Sequence, residues 1–370
     1  MKIGLVTWIG IGNYGTVLQS FALHKKLSML GYDVFIICGF RKLGVLGAMA
    51  KLLLRETGIL DLRMKARFKS TQPLSSNKFY RFVKSNYNIA TPVFTKELVN
   101  IVNTTDVFLA GSDQIWNVRH LFDPFMFLDF AANKKRISYA SSIGISDIPQ
   151  KYRTKIKELL GGFSHIGVRE KTAVNVLGKI TGRKDITQVL DPTFLLTAED
   201  WANVCKESKY EIKLPDKFIL CYLIGKGKDN EKMISEIIEQ AGIENVIVVP
   251  AGENPGISIN GASIYRYAGP AEFVDLIRQA DLVCTDSFHA TALSINLSKD
   301  FVELLRFKDG DAASQNSRIY DLLDQYGLRG RLYTGDGNVP AGKIDYAPIQ
   351  EKLKTDRGRS LKFLADSIER

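Results

Sequence analysis

The sequence predicts an α/β protein with two domains, each built on a mostly parallel β-sheet that helices cover. Short apolar runs of strand length alternate with helical segments along most of the 370 residues, and such alternation is typical of parallel sheets buried on both faces. A polar, charged segment at residues 206–217 interrupts this alternation, which then resumes in the second half of the chain. The chain is also too long for one ordinary core. We therefore place an N-terminal domain at residues 1–205 and a C-terminal domain at residues 206–370, facing a cleft.

The elements of the N-terminal domain follow from its hydrophobic pattern. Residues 3–8 are predicted to form the first strand, and residues 16–30 an amphipathic helix that ends at Gly31, because glycine adopts the backbone conformation that terminates helices. Further strands are expected at residues 34–38, 106–110, 136–140, 166–168 and 187–190, and further helices at residues 150–161 and 171–180.

A basic helical insertion at residues 41–87 interrupts the alternation. The net charge of the chain is +10, and the basic excess concentrates between Arg41 and Lys84. This segment is either a packed helical insertion or a contact for a membrane surface or a lipid-linked substrate, since basic amphipathic helices bind such surfaces. The charge favours an anionic partner. Nucleic acid is the weakest choice, because the segment carries no recognised nucleic-acid-binding motif.

The C-terminal domain repeats the pattern. Strands are predicted at residues 218–224, 246–249, 281–285 and 301–306, and helices at residues 229–241, 270–280, 317–326 and 348–368. The last helix is a candidate to pack back on the N-terminal domain.

Cellular context is predicted from what the sequence contains at its start and along its length. No apolar run is long enough to span a membrane, and residues 1–8 resemble a strand rather than a signal peptide. We therefore expect a cytoplasmic protein, or one peripheral to the inner face of the cell membrane. The four cysteines, which are widely spaced, indicate neither a disulfide framework nor a structural zinc site.

His289 is the most informative candidate functional residue. An apolar run ends at Thr285, a polar turn follows, and a helix of small residues begins, so His289 is expected at a helix N-terminus beyond a parallel strand. Ligands of open α/β sheets bind in such crevices, and the helix end favours an anion. The alternative is a capping Asp286–Ser287 pair followed by a packed histidine.

The loop after the first strand, residues 10–15, matches the pattern G-x-G-x-x-G. A dinucleotide site of this kind also needs an acidic residue at the end of the second strand, where this chain has Arg41, so NADP remains only an alternative. We favour glycines that let the backbone approach another substrate, with Asn13 and Tyr14 projecting from the loop. A tight strand–helix turn is the remaining interpretation.

Two further strand ends carry polar side chains. Asp113, Gln114 and Trp116 follow one strand; their hydrogen-bonding groups and an aromatic ring suit a sugar, and Asp113 is a candidate base for an attacking hydroxyl. The alternative is a helix cap with the indole in the core. Arg169 closes another strand and suits phosphate or carboxylate, unless it merely pairs with Glu170 at the surface. Asp191 is interpreted as a turn-forming residue.

Residues 13–15, 111–116, 168–170, 191–192 and 286–289, taken in order, resemble the polysaccharide pyruvyl transferase family. The resemblance implies two Rossmann-like domains that face a cleft as in B-type glycosyltransferases. It implies transfer of a pyruvyl group from phosphoenolpyruvate to hydroxyls of a sugar in a cell-surface polysaccharide precursor, such as capsule or exopolysaccharide, with formation of a ketal and release of phosphate. Phosphoenolpyruvate is then the donor substrate, the sugar acceptor is free or lipid-linked, and neither a cofactor nor a metal site is expected.

The resemblance also implies roles for individual residues. It associates Arg169 and His289 with the donor. Many members have Ser-Arg-Leu-His where this chain has Asp-Ser-Phe-His at residues 286–289, so Ser287 stands in the place of an arginine, and we name Arg318 as the candidate substitute. Phe288 is counted with the donor site.

The remaining roles complete the predicted site. His289 is assigned to acid–base chemistry or to stabilisation of the leaving phosphate, and Asp113 to deprotonation of the acceptor hydroxyl. The acceptor is expected to contact Asn13, Tyr14, Gln114 and Trp116. Two alternatives stay open: a glycosyltransferase of similar fold that uses a nucleotide sugar, and a non-catalytic relative that binds a glycan or an anion, which the missing arginine favours.

Overall fold

The computed structural model describes residues 1–9, 12–38, 75–225, 228–252, 257–308, 311 and 314–370. Most of the predicted basic insertion, including Arg41, lies outside the described residues. The part that is described contains a helix at Ser76–Asn86.

The N-terminal domain contains a parallel sheet of seven strands in the order β3-β2-β1-β4-β5-β6-β7 among the described residues. The strands are β1 (Lys2–Val6), β2 (Asp33–Ile37), β3 (Ile89–Ala90), β4 (Val107–Ala110), β5 (Lys135–Ser141), β6 (His165–Val168) and β7 (Thr187–Gln188). The helices are α1 (Tyr14–Met29), α2 (Ser76–Asn86), α3 (Thr95–Thr104), α4 (Gln150–Gly161), α5 (Lys171–Thr181) and α6 (Ala198–Cys205).

The C-terminal domain contains a second parallel sheet, in the order β10-β9-β8-β11-β12. Its strands are β8 (Ile219–Tyr222), β9 (Val246–Val248), β10 (Ser263–Ile264), β11 (Leu282–Thr285) and β12 (Phe301–Glu303). Its helices are α7 (Lys228–Ala241), α8 (Pro270–Gln279), α9 (Phe288–Asn296), α10 (Ser317–Tyr326) and α11 (Tyr346–Glu369).

These two sheets confirm the predicted fold class of two Rossmann-like domains. In each sheet the strand order reverses next to the first strand, between β1 and β4 and between β8 and β11. Ligands of this fold bind outside the carboxyl ends of the strands at such a reversal. The loops that follow these four strands are therefore the places where a site is expected.

The two domains share a hydrophobic core. Residues of α1 and α2 in the N-terminal domain pack in one cluster with residues of β8, α8 and α9 in the C-terminal domain. Tyr14 is at its centre: the ring stacks on Phe273 with centroids 4.3 Å apart, and the hydroxyl donates a hydrogen bond to Ala268 O at 2.7 Å. Burial of this much apolar surface holds the domains together at the base of the cleft.

Helix α11 spans both domains. Its buried positions recur every three or four residues and form one stripe along the helix. Leu353 packs in the shared core, whereas Leu364 and Ile368 pack against β1 in the N-terminal domain. The chain thus crosses back after completing the second sheet.

Several elements differ from the predicted ones. The first strand ends at Val6 rather than at residue 8, which leaves Trp8 in the loop beyond the sheet. The pattern did not predict α3, α6, β3 or β10; the two strands have only two residues each, too few to show a period. None of the four cysteines, all of which lie within the described residues, forms a disulfide bond. No helix within the described ranges is long and apolar enough to cross a membrane.

Candidate active site

Loops from both domains enclose a cavity of about 240 Å³ at the carboxyl ends of β1, β4, β8 and β11. The N-terminal domain contributes Trp8, Asn13, Thr16, Asp113, Gln114 and His120. The C-terminal domain contributes Ile224, Ser287, Phe288, His289, Arg306, Gln315 and Arg318. The points where the strand order reverses in the two sheets therefore face a single cavity. Ligands of this fold bind at such points.

His289 lies in the first turn of α9, beyond β11, and its ring touches the N-terminal domain. A Cβ atom added to Gly15 would lie 2.2 Å from His289 Nδ1. A glycine at this position of α1 is therefore required for the ring to approach. The space left at Gly15 is occupied by the protein's own histidine, which corrects the interpretation of this glycine as a point of substrate approach.

The other ring nitrogen of His289 faces one donor and one acceptor. Nε2 is 3.4 Å from Arg169 Nη1 and 3.5 Å from Asp191 Oδ2. The protonated ring can donate to the carboxylate, and the neutral ring can accept from the guanidinium. Because both protonation states find a partner, the histidine can gain and lose a proton without moving, which acid–base catalysis needs.

Asp191 lies behind the cavity and contacts both Arg169 and His289. Its Oδ2 accepts a hydrogen bond from Arg169 Nη1 at 2.9 Å, and its Oδ1 accepts from the backbone N–H and the hydroxyl of Thr193. Burial opposes ionisation of this carboxyl, but His289 and Arg169 outweigh it and hold its pKa well below the ordinary value. Asp191 caps a turn, as predicted, and it also orients Arg169 and His289, a role that sequence analysis missed.

Asp113 follows β4 and lies between the cavity and Arg169. Its Oδ2 accepts a hydrogen bond from the Thr16 hydroxyl at 2.9 Å, and its Oδ1 is 3.7 Å from Arg169 Nη1. Burial would raise the pKa of Asp113, but the positive charges of His289 and Arg169 more than compensate and lower it. The carboxylate is therefore ionised and can accept a hydrogen bond from a hydroxyl in the cavity.

Arg306 and Arg318 form a basic wall on the C-terminal side. Arg318 donates to Gln315 Oε1 at 2.8 Å, and Arg306 lies 3.9 Å from Asp286. The Nε groups of both arginines are buried with no hydrogen-bond partner in the described structure. Burial, together with the positive charges of Arg169 and Arg306, lowers the pKa of Arg318 to about 9. This wall has more positive charge than the neighbouring carboxylates neutralise, so it is suited to an anion.

The N-terminus of α9 adjoins this wall. Ser287 is the N-cap residue, and its side chain makes no capping hydrogen bond. The first N–H groups of a helix have no acceptor within the helix and attract anions. The ring of Phe288 packs against two arginines: the guanidinium groups of Arg169 and Arg318 lie 4.3 Å and 5.8 Å from its centre.

The sequence matches the family model described as polysaccharide pyruvyl transferase over residues 13–302. The chain belongs to the polysaccharide pyruvyl transferase family. The resemblance inferred from its motifs is thereby confirmed. No curated protein matches the sequence significantly.

Solved structures with a similar fold include UDP-N-acetylglucosamine 2-epimerases. The one from Rickettsia bellii is 8% identical with a TM-score of 0.48, over 100% of this chain and 97% of that chain. The one from Neisseria meningitidis is 11% identical with a TM-score of 0.46, over 100% and 93%. An alpha-glucosyltransferase in complex with UDP and DNA is 11% identical with a TM-score of 0.41, over 98% and 95%. At these identities the similarity concerns the fold alone.

In this pyruvyl transferase family member, two residues predicted to contact the acceptor do not line the cavity. Tyr14 is buried in the core shared by the domains, and Trp116 stacks on Phe127 with centroids 5.2 Å apart. Both rings are 1% exposed. The predictions for Tyr14 and Trp116 are therefore wrong in this structure: an aromatic residue after a strand fills the core when its ring points back over the sheet.

The other predicted residues meet at the cavity or directly behind it. Asn13 lines it while its Oδ1 caps α1 through Thr16 N at 3.1 Å. Arg169 does not line the cavity itself; it is buried behind His289 and Asp113, and its Nε and Nη2 have no hydrogen-bond partner among the described residues. Sequence analysis missed Trp8, His120 and Arg306, which belong to loops or to the end of a predicted strand. No group of three or more metal-ligating side chains occurs in the described part of the chain.

A buried carboxyl group lies beneath α9 in this family member. Glu303 accepts or donates a short hydrogen bond with the Thr291 hydroxyl, which also contacts Ser287 O at 3.0 Å. The one proton of the hydroxyl can be donated to an ionised Glu303, or to Ser287 O when Glu303 is protonated. Burial raises the pKa of Glu303 well above its ordinary value, which agrees with a protonated side chain.

We expect Glu303→Gln to stabilise the protein increasingly as the pH rises. The unfolded wild type ionises at the ordinary glutamate pKa, whereas the folded one stays protonated up to its raised pKa. Between these two values the wild type loses about 1.4 kcal/mol of unfolding free energy per pH unit, and glutamine loses none. Denaturant unfolding from pH 4 to pH 8 measures the difference. The exposed Glu207→Gln is the control, and a difference independent of pH would show that Glu303 is ionised in the folded state.

Proposed function

We propose that this protein transfers a pyruvyl group from phosphoenolpyruvate to hydroxyls of a sugar in a cell-surface polysaccharide precursor, forming a ketal and releasing phosphate. One observation supports this most directly. Arg306 and Arg318, which line the cavity, present buried Nε–H groups without hydrogen-bond acceptors beside a histidine at a helix N-terminus. A donor that carries both a phosphate and a carboxylate would satisfy these groups.

The donor is assigned to the C-terminal wall. Arg306, Arg318 and the first N–H groups of α9 face the same part of the cavity. Ser287 occupies the place where many members have an arginine, and Arg318 and Arg306 supply positive charge there instead. Arg169 acts from behind, by holding Asp113 and His289 at 3.7 Å and 3.4 Å from its Nη1.

In the proposed reaction, two hydroxyls of the sugar bond to C2 of phosphoenolpyruvate, one after the other. In the first, a sugar hydroxyl bonds to C2 and C3 takes up a proton, which converts the methylene into a methyl group. In the second, the bond from C2 to the phosphate oxygen breaks, phosphate leaves with its electron pair, and a second hydroxyl of the sugar bonds to C2 and loses its proton. The two hydroxyl protons thus balance the one gained at C3 and the one taken by the phosphate.

His289 is assigned to the proton transfers in this sequence. It lines the cavity, and its Nε2 has a partner in either protonation state. Asp113 is assigned to the acceptor hydroxyl: it lies in the N-terminal wall, is ionised, and already accepts one hydroxyl hydrogen bond, from Thr16. Its lowered pKa makes it a weak base, so we assign it orientation of the hydroxyl and stabilisation of its developing charge rather than complete deprotonation.

The proposal is tested by phosphate release from phosphoenolpyruvate in the presence of free and lipid-linked galactosides, mannosides and glucosides. We expect release that requires an acceptor, and a product heavier than the acceptor by one pyruvyl ketal. Thermal shifts with phosphoenolpyruvate, UDP-sugars and NADPH distinguish the alternatives, because a ligand of the native state raises the melting temperature. Stabilisation by a UDP-sugar alone, without phosphate release, would contradict the proposal.

Arg318→Ala is expected to weaken phosphoenolpyruvate binding roughly 10- to 150-fold, the loss of one charged hydrogen-bonding partner. The apparent donor constant should increase more than the acceptor constant, because Arg318 lies in the donor wall. Calorimetric titration with phosphoenolpyruvate and initial rates at varied donor and acceptor measure both quantities.

Two further variants show whether the effect of Arg318 is local. Arg306→Ala removes the other arginine of the wall and should have a similar effect. Lys308→Ala removes a nearby exposed charge that does not line the cavity, and it should leave the donor constant unchanged. If Arg318→Ala folds normally but retains the wild-type donor constant, Arg318 is not the substitute for the missing arginine.

A further inference from the structure

Trp8 is the one tryptophan that reaches the cavity. The chain has three tryptophans; Trp116 and Trp201 are 1% and 0% exposed in the core. Trp8 follows β1, is half-buried against the core of the N-terminal domain, and lines the cavity. His120 lies against it at 6.4 Å between ring centroids, with an angle of 64° between the planes. An indole supported by the core on one side and open to a polar cavity is a surface on which the apolar face of a sugar ring can stack.

The groups beside Trp8 are uncharged, and their hydrogen bonds determine their orientation. Gln315 Oε1 accepts from Gln114 Nε2 at 3.1 Å and from Arg318 Nη2 at 2.8 Å. The amide nitrogen of Gln315 must therefore be the donor toward His120 Nε2, at 3.1 Å. His120 is then a neutral imidazole with its proton on Nδ1. Burial and the nearby Arg318 lower the pKa of His120, which agrees with this assignment.

The wall of the cavity around Trp8 differs in charge from the C-terminal wall opposite. The C-terminal side presents Arg306 and Arg318, whereas the N-terminal side around Trp8 presents amides, a neutral imidazole, the Thr16 hydroxyl and the Asp113 carboxylate. Neutral donors and acceptors next to an aromatic ring suit a hydroxylated, uncharged ligand, while the arginines suit an anion. Asp113 lines the same wall, so a ring stacked on Trp8 has its hydroxyls within the cavity that contains Asp113.

We infer that Trp8, His120 and Gln114 form the binding subsite for the acceptor, and that this acceptor is an uncharged pyranose whose apolar face stacks on Trp8. The inference rests on the proposed function and assigns the acceptor to a surface other than the predicted one at Tyr14 and Trp116. Gln315 links this subsite to Arg318, so the hydrogen bonds of the acceptor wall continue into the donor wall.

Sugar binding is measured without phosphoenolpyruvate, by tryptophan fluorescence and calorimetry with methyl galactoside, glucoside and mannoside and with their oligosaccharides. Trp116 and Trp201 are buried, so we expect a saturable fluorescence change that comes from Trp8. Calorimetry should show that Trp8→Ala weakens sugar binding roughly ten- to hundredfold, and that Trp8→Phe retains part of it because a ring remains.

Matched measurements separate this inference from the proposed function. Trp8→Ala should raise the acceptor KM and leave phosphoenolpyruvate binding at the wild-type value. Tyr267→Ala, at an exposed aromatic residue that does not line the cavity, should change neither. If the wild type binds sugars through Trp8 but releases no phosphate, the donor chemistry is wrong and the subsite stands. If transfer occurs and both Trp8 variants keep the wild-type acceptor KM, or if no sugar binds to the wild type, the subsite is wrong.

Discussion

Replacing His289 with asparagine is expected to lower kcat by about 10²–10⁴-fold, the usual contribution of a positioned acid–base group. The imidazole lines the cavity, and Asp191 and Arg169 provide hydrogen-bond partners for both its protonated and its neutral form. Asparagine can keep a hydrogen bond in this place but transfers no proton. Phosphoenolpyruvate binding should therefore fall much less than kcat.

The measurement is the initial rate of phosphate release at saturating donor and acceptor, together with calorimetric titration of the donor. His165→Asn is the control, because His165 begins β6 at the opposite end of the sheet from the cavity. Near-UV circular dichroism tests whether the contact between residue 289 and Gly15 has been disturbed. A well-folded His289→Asn protein with the wild-type kcat would remove His289 from the chemistry.

Replacing Arg169 with methionine is expected to cost about 3–5 kcal/mol of stability, because it breaks a buried ion pair and leaves charges uncompensated. Arg169 is surrounded by three carboxylates, from Asp191 at 2.9 Å, Asp113 at 3.7 Å and Glu170 at 3.8 Å. Without the guanidinium, the buried carboxylates of Asp191 and Asp113 keep only His289 and, for Asp113, Arg318 as compensating positive charges. Denaturant unfolding at neutral pH measures the loss.

A double-mutant cycle isolates the pair. Arg169→Met with Asp191→Asn should cost less than the sum of the two single changes, since the second substitution removes one of the stranded charges. The exposed pair of Arg329 and Asp324 is the matched control: its atoms are also 2.9 Å apart, but the side chains are 45% and 57% exposed. Arg329→Met should therefore cost about 0–1 kcal/mol. An additive cycle at Arg169 would contradict the coupling.

The pair of Arg169 and Asp191 also contributes stability that depends on pH. The pKa of Asp191 is lowered in the folded state, so the folded protein stays ionised where the unfolded chain already binds a proton. The stabilisation is complete above the ordinary aspartate pKa, about 4, and is lost as the pH falls toward the lowered value. Acidification should therefore reduce the difference in stability between the wild type and Asp191→Asn.

The sequence predicted the α/β fold with two parallel sheets and the polar residues at the strand ends, because both depend on local periodicity. Parallel strands buried on both faces are apolar throughout, and the residues that follow them must be polar where the cleft opens. Asp113, Gln114 and His289 were found in this way, and each lines the cavity. Ser287 was recognised as a departure from the family motif by its position alone.

Side-chain direction could not be predicted from the same pattern. Tyr14 and Trp116 follow strands as Trp8 does, yet the first two point into cores and only Trp8 lines the cavity. Which way a ring turns depends on neighbours supplied by distant segments, such as Phe273 beside Tyr14 and Phe127 beside Trp116. Aromatic identity therefore predicted a ring at the cavity without indicating which of the three residues supplies it.

The sequence by itself determined the order of most strands and helices, the two α/β sheets and the polar residues at the strand ends. Only the tertiary structure decided that Asp191 bridges Arg169 and His289, that Arg306 joins Arg318, and that Gly15 makes room for His289. Each of these arrangements brings together residues from different secondary-structure elements or loops. Hydrophobic periodicity reports which face of an element is buried, whereas the distance between two charges depends on how whole elements pack against one another.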